Sequence, residues 1–319
     1  EWTDAKNTSG QIRCYFKEST KIVPVNLMNV AQQRFFYEHK RLTELEKLMV
    51  GALNKSKNDI LMKNNPYFIL KLNFDLWNLE DQGITDNSLL NKRKQLGEEV
   101  QCAFEEGGPG FLKKLRCGDA TFFLNEEERI HFVSYLMMQF VRTNRMRKSM
   151  VSAFSGLNSE KSKFLKMAPK IRDILEKEGI SIDLEKVSKE LDDMGSNLSV
   201  DKVAAYTLDN TAHELTYAFA ITNKMKLEIL SSPNETSFIT GDQPAMNLQH
   251  KLVDEGTEEM EFYYPVSPTK AIRLVPHEDW AIDSLEMTSL DVTELNQSLF
   301  DYCDAQVYAI KEADFSAYK

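Results

Sequence analysis

A change of periodicity close to Lys224 constrains this chain more than any other feature. Upstream of it, apolar residues recur at helical spacing. Leu42, Leu45, Leu48, Met49 and Leu53 share one face, and Leu89, Leu90, Leu96 and Val100 follow the same period less regularly. Downstream, short strand-like runs take over at 226–230, 237–240, 261–266, 271–275 and 305–310, interrupted by a helical pattern at about 289–302. Two further strand-like runs, 11–16 and 21–25, open the chain around the polar turn Lys17-Glu18-Ser19-Thr20 and read as a hairpin. The pattern predicts a predominantly helical α+β fold, with an N-terminal β-hairpin and a C-terminal mixed sheet flanking a large helical body. The expected organisation is one α+β unit over 1–319, with the hairpin in 1–28, the helical body in 29–225 and the strand-rich part in 226–319. Both β regions are expected to share one sheet.

Inside the helical body, Asn125-Glu126-Glu127-Glu128 has the form of a capping box, with the Asn side chain accepting from the first turn and Glu128 reaching back. Acids at its start, and Arg142, Arg145, Arg147 and Lys148 at or near its end, complement the helix dipole. Ile130, Val133, Met137 and Phe140, widened by Phe132 and Leu136, give it a core-facing stripe. Further helices are expected over 162–178, 184–193 and 200–224. Gly107-Gly108-Pro109-Gly110 reads as a loop between helices, and the polar, acidic stretch 249–260 as an exposed, mobile loop.

Charge and cysteine usage narrow the setting. The four cysteines, Cys14, Cys102, Cys117 and Cys303, are scattered without C-x-x-C spacing, which points to reduced thiols in the cytoplasm rather than zinc or disulfides. The apolar run 132–141 is too short to cross a bilayer, and the start Glu1-Trp2-Thr3-Asp4 lacks a signal-peptide pattern, so no membrane association is expected. A net charge of −10 argues against nonspecific polyanion binding by the whole molecule. The charge is uneven, however. Segment 142–172 has nine Lys or Arg against one acid, Glu160, whereas 209–319 has 20 acids against 7 bases. The basic segment can face nucleic acid, face water, or dock on the acidic half of its own chain.

The candidate chemistry centres on Thr236-Ser237-Phe238-Ile239-Thr240-Gly241-Asp242-Gln243-Pro244, a strand-like run entering a Gly-Asp-x-Pro turn that displays one carboxylate. Gly, Asp and Pro are also the ordinary residues of a strand-terminating turn. Asp242 can hold a divalent cation or act as a general base. Ser267 can donate to a substrate oxygen, and Asn296 can orient one. Arg142 can grip a phosphate through its planar fork, with Gln139 on the same helix face and Arg145 close behind as further substrate-binding groups. The competing reading makes Asp242 and Asn296 turn caps and Arg142 an internal tie. Asp209 and His213 form only an i,i+4 pair, and His39, His131, His250 and His277 are isolated. There is no G-x-S-x-G, P-loop or G-x-G-x-x-G pattern.

Several landmarks together resemble a bacterial family of uncharacterised proteins, number 4238 among the domains of unknown function. Its F-[IL]-T-S-D-x-P element is similar to Phe238–Pro244, with Gly241 where Ser is usual. Its P-L-S-P element resembles Pro265-Val266-Ser267-Pro268, with Val266 in place of Leu, and its later helical Asn matches Asn296. Gln139-Phe140-Val141-Arg142-Thr143 resembles its Q-x-x-R-T helix, and Asn29-Val30-Ala31 with Phe36-Tyr37 resembles another stretch near its start. Members usually open with a His-containing H-x-V-P-Q-x-Y-L-like segment, which would lie before Glu1. The resemblance carries no established activity and implies a bacterial toxin or phage-defence setting. Two expectations follow: a hydrolase or nuclease acting on a phosphate-bearing substrate with Mg or Mn, or a non-catalytic partner-binding or sensor protein whose motifs are structural. The first requires Asp242 and Arg142 to converge on an open cleft. The second requires them to be internally satisfied.

Overall fold

The groups that satisfy helix ends decide where the helices of this chain start and stop. The computed structural model describes residues 11–26, 39–54, 67–84, 91, 95–97, 99, 102, 105–155, 161–192, 200–233, 235–249, 260–316 and 318. Among them the chain runs through β1 (Gln11–Phe16), β2 (Lys21–Asn26), α1 (Glu44–Leu53), α2 (Phe68–Asp81), α3 (Gly108–Arg116) and a 3-10 turn at Thr121–Leu124. It continues through α4 (Glu126–Val141), α5 (Asn144–Ser155), α6 (Lys161–Lys177), α7 (Leu184–Asp192), α8 (Val200–Ala205) and α9 (Leu208–Tyr217), which passes into a π-helical turn at Ala218–Thr222. The strand-rich part comprises β3 (Met225–Ser231), β4 (Thr240–Gly241), β5 (Met246–Asn247), β6 (Phe262–Ser267), β7 (Lys270–Pro276), β8 (Ala281–Glu286), α10 (Ser289–Tyr302) and β9 (Gln306–Ala309). The fold is α+β, with an N-terminal hairpin and a C-terminal mixed sheet. Among the described residues, no helix is long and apolar enough to cross a membrane. Leu89, Leu90, Val100, the 29–37 landmarks and most of 249–260 lie outside the described residues.

Several boundaries differ from the sequence pattern, each for a local reason. The Gly107–Gly110 stretch is not a loop throughout, because Pro109 sits in the first turn of α3, where its missing N–H needs no partner. Asn125 does cap α4, accepting from Glu128 N at 3.0 Å, but the Glu128 carboxylate turns to Lys114 Nζ at 2.9 Å instead of reaching back. α4 ends at Val141, and the Thr143 hydroxyl takes up the Phe140 carbonyl at 3.1 Å, so Arg145, Arg147 and Lys148 belong to α5. The expected long helix over 200–224 breaks after Ala205, where Tyr206 N and Thr207 N bond three residues back and the Thr207 hydroxyl also donates to Ala204 O. β8 was not legible as a strand.

The β regions form two sheets rather than one. The first has the order β2-β1-β9-β4 and joins the N-terminal hairpin to the C-terminal strands, with Cys14 opposite Tyr308 and Thr240 opposite Tyr308 on the other side of β9. The second has the order β5-β6-β7-β3-β8, antiparallel except for the β3–β8 pair. The chain divides into two compact units, one of Glu1–Arg34, Phe104–Arg145 and Leu215–Lys319, the other of Phe35–Ala103 and Met146–Glu214.

In the first unit, aromatic rings join the helices to the second sheet. Phe140 of α4 and Phe219 of the π turn both pack edge-on against Phe262 of β6, at 5.2 and 4.9 Å between centroids. α3 approaches α4 closely enough that a Cβ on Gly108 would run into the Tyr135 ring. Arg129 is buried yet pairs with carbonyls, donating to Ala220 O at 3.0 Å and Phe123 O at 3.1 Å, with the Trp280 ring 3.9 Å from its guanidinium carbon. That arrangement ties α4, the 3-10 turn, the π turn and the start of β8 together.

The second unit is helical, built on Leu45, Leu48, Leu70, Trp77, Leu175 and Leu191. Helix N-termini there exchange carboxylates: Leu45 N donates to Glu190 Oε2 at 2.8 Å and Asp183 N to Glu44 Oε2 at 2.9 Å. His39 is buried against Tyr206, centroids 4.6 Å apart, and its ring bonds the Ala205 backbone. Burial lowers its pKa from 6.5 to about 4. The folded state therefore binds fewer protons than the unfolded chain between those values, and the stability that neutral His39 secures is lost as pH falls from 6.5 towards 4. The loss amounts to roughly 3 kcal/mol once the imidazole charges. Chemical denaturation at a series of pH values checks this: His39→Phe should unfold with a flatter dependence across that window, and an unchanged slope would contradict the assignment.

Candidate functional site

Phe238 and Ile239 are fully buried, yet residues 237–239 lie outside either sheet, so their backbone polar groups need partners from elsewhere. Asn296, on α10, supplies two of them. Its Oδ1 accepts from Ile239 N at 3.0 Å and its Nδ2 donates to Ser237 O at 2.8 Å. Between these bonds, Phe238 N donates to Pro268 O at 2.9 Å. Ser267 holds the turn that presents this carbonyl, its Oγ accepting from Lys270 N at 3.0 Å and Thr269 N at 3.3 Å. Thr240 and Gly241 then pair with β9.

Asp242 completes the arrangement. One carboxylate oxygen accepts from Asp304 N at 3.0 Å, and the other from Ala305 N at 2.7 Å and Gln306 N at 3.0 Å. The Asp242 N–H returns a bond to Gln306 O at 3.0 Å. Burial pushes the Asp242 carboxyl above its usual range, while the three backbone N–H groups pull it back. Two buried thiols lie near it. Cys303, hydrogen-bonded to Asp242, is raised by burial, and Cys14 is pushed up to about 12 by burial and by the Asp242 charge, so both stay protonated. Gly241 is needed here. A Cβ would overlap Cys303 Sγ and lie 2.7 Å from Gln306 O.

The other three candidates fall into two groups. Arg142 bonds both the Glu105 carboxylate and Gln139 Oε1, and Gln139 Nε2 donates to Glu105 Oε1 at 3.3 Å, closing a local triangle. Arg145 donates to Tyr302 O at 2.9 Å and stacks on the Tyr302 ring at 4.3 Å, while its neighbour Asn144 donates to Asp304 Oδ2 at 2.7 Å. Burial raises the Tyr302 hydroxyl to about 12, with Arg145 partly offsetting it. The structure thus brings Asp242, Asn296 and Ser267 to one segment, and Asp242 and Arg145 to one connector between α10 and β9. Arg142 and Gln139 are engaged with Glu105 instead. Among the described residues, no group of three or more His, Cys, Asp or Glu is placed to hold a metal ion.

The sequence pattern missed Lys17, which reads as a turn residue. Its ammonium accepts no role in the turn but donates to Phe300 O and Cys303 O, each at 2.8 Å, capping the C-terminal end of α10. The only hint is that α10 has no basic residue in its own last turn. Glu105 and Tyr302 were missed as well, and no local signal marks either one.

Removing a clamp residue should therefore cost stability. Asn296→Ala leaves the buried Ile239 N–H and the half-buried Ser237 C=O without these partners, and Asp242→Ala takes the acceptor from three backbone N–H groups. Each variant should lose on the order of 3 kcal/mol in denaturant unfolding. A loss near zero for both would show that the bonds do not hold the segment.

A family model described as protein of unknown function (DUF4238) matches residues 1–313. No curated protein matches the chain, and no solved structure does. The match covers both units and every motif of the clamp, and the chain belongs to the DUF4238 family.

Proposed function

We propose that this chain is a non-catalytic partner-binding protein whose family motifs build its fold. The observation that carries this reading is Asp242, both of whose carboxylate oxygens are taken by backbone N–H groups of residues 304–306. A general base or cation ligand has to present a lone pair to its substrate or ion. Here the lone pairs face the chain itself. Asn296 and Ser267 are committed to backbone groups in the same way, and Arg142 to a carboxylate rather than to an open cleft. In the bacterial cytoplasm, a toxin or phage-defence role would then proceed through recognition of another macromolecule.

The phosphate-substrate reading keeps one support, the basic 142–172 segment, where Lys166 and Lys170 lie exposed one turn apart on α6. Hydrolysis of single- and double-stranded nucleic acid and of a phosphomonoester, with Mg or Mn, separates the two. The partner-binding reading expects no hydrolysis that distinguishes the wild type from Asp242→Asn. Turnover by the wild type that disappears in Asp242→Asn, with the thermal transition unmoved, would overturn it in favour of a metal-dependent hydrolase.

A further inference from the structure

Tyr135, Gln139 and Arg142 follow one another at i, i+4 and i+7, so their side chains share one stripe of α4 and its C-cap. The stripe has a closed end and an open one. Tyr135 is 7% exposed, and its hydroxyl meets that of Tyr264, on β6, at 3.1 Å. Gln139 is buried in the middle, and Arg142 at the far end keeps 29% of its side chain in solvent. Its partner there, the Glu105 carboxylate, belongs to a side chain that is 37% exposed. No Asp or Glu occurs between Arg129 and Glu160, so this carboxylate comes from a segment outside α4 and α5, just ahead of Gly107 and Gly108.

Donors outnumber acceptors along this stripe. Two hydroxyls bonded to each other place one proton between them and leave the second without an acceptor among the described residues. The Arg142 charge reaches that pair. Burial pushes the Tyr264 hydroxyl up, and the Tyr135 bond and the Arg142 charge offset part of the rise. Gln139 Nε2 donates to Glu105 Oε1 at 3.3 Å and has a second N–H to give. The planar fork of Arg142 is likewise only partly engaged by Glu105 and Gln139 Oε1. Arginine, glutamine and tyrosine donors gathered at one half-exposed carboxylate select an anion, and the group they already hold shows its chemical class.

We propose that Arg142, Gln139 and the Tyr135–Tyr264 pair form a binding site for a carboxylate carried by a partner protein, and that Glu105 occupies it in the free chain. The incoming group takes the Arg142 fork and the Gln139 amide from Glu105, whose side chain moves out into the solvent it already touches. An incoming carboxylate that also accepts the spare tyrosine proton gains a bond that Glu105 does not make. The proposal rests on the partner-binding reading and names the chemistry of the partner, but its readout is carboxylate binding at Arg142. That result and the hydrolysis result at Asp242 can therefore fail separately.

The probe is a fluorescent peptide alternating glutamate with glycine, titrated into the whole chain by anisotropy, with a glutamine-for-glutamate peptide as its control. A net charge of −10 repels acidic chains in general, so saturable binding of the glutamate peptide alone identifies a specific site. Glu105→Gln should tighten that binding by roughly tenfold, because the tethered carboxylate no longer competes. Arg142→Lys, which keeps the charge and loses the fork, should weaken it by a similar factor. Succinate should displace the peptide only at much higher concentration, and inorganic phosphate should not displace it. A purely structural ion pair gives the opposite result for Glu105→Gln, a lower melting temperature with no gain in binding. Absence of binding by both the wild type and Glu105→Gln, equal binding of the glutamine peptide, or an affinity unchanged by both variants would each overturn the proposal. Displacement by phosphate as readily as by succinate would overturn the carboxylate, and displacement by succinate at the peptide's own concentration would overturn the partner protein as its source.

Discussion

The structure depends on the need to satisfy the backbone of a buried segment that no sheet accommodates. Residues 237–239 lie outside either sheet, with Phe238 and Ile239 fully buried, and unpaired peptide groups there would offset much of what burying the two side chains contributes. An amide side chain is suited to this task because it offers a donor and an acceptor in one plane. Asn296 uses both on neighbouring peptide groups. The carbonyl of Pro268 takes the N–H left between them, and Asp242 then fastens the end of the segment to the chain leading into β9. Three sequence elements far apart in the chain are thereby accounted for by one physical requirement.

The connector between α10 and β9 receives what this clamp delivers. Lys17 reaches it from the hairpin turn, Asp242 from the end of β4, and Asn144 with Arg145 from the start of α5. Its own carbonyls and N–H groups lie at a helix end and a strand start, where regular structure leaves them unpaired. Charged and amide side chains take over, and each draws its position from a different part of the chain. Gly241 and Cys303 show how tightly the assembly is packed, since the sulfur occupies the space a side chain at 241 would need.

Much of the fold was legible because it rests on local rules. The hairpin, the Asn125 cap, the apolar stripe of α4 and most strands of the second sheet follow from periodicity and from caps within a few residues. What was not legible depends on partners distant in the chain. β8 reads poorly as a strand because an exposed edge has no alternation of buried and exposed positions to display. Glu128 completes a capping motif on paper and is diverted to Lys114, which sequence spacing does not reveal. The same holds for the site. Asp242, Ser267 and Asn296 stood out by residue type, but residue type cannot distinguish a carboxylate aimed at a substrate from one aimed at three peptide N–H groups. Arg145 was grouped with Arg142 by proximity in sequence, yet the end of α4 at Val141 sends the two side chains to different partners.

The pairing of β1 with β9 bears on the order in which the protein takes shape as it is synthesised. An isolated two-stranded hairpin is marginal in water, and the strand that flanks β1 on its other side, with Tyr308 opposite Cys14, is translated only after the whole helical unit. The helical unit is made entirely from residues before Leu215 and can consolidate while the ribosome is still at work. The hairpin is made before the helical unit and pairs with β9 only after it, so its apolar residues must stay soluble in the interval.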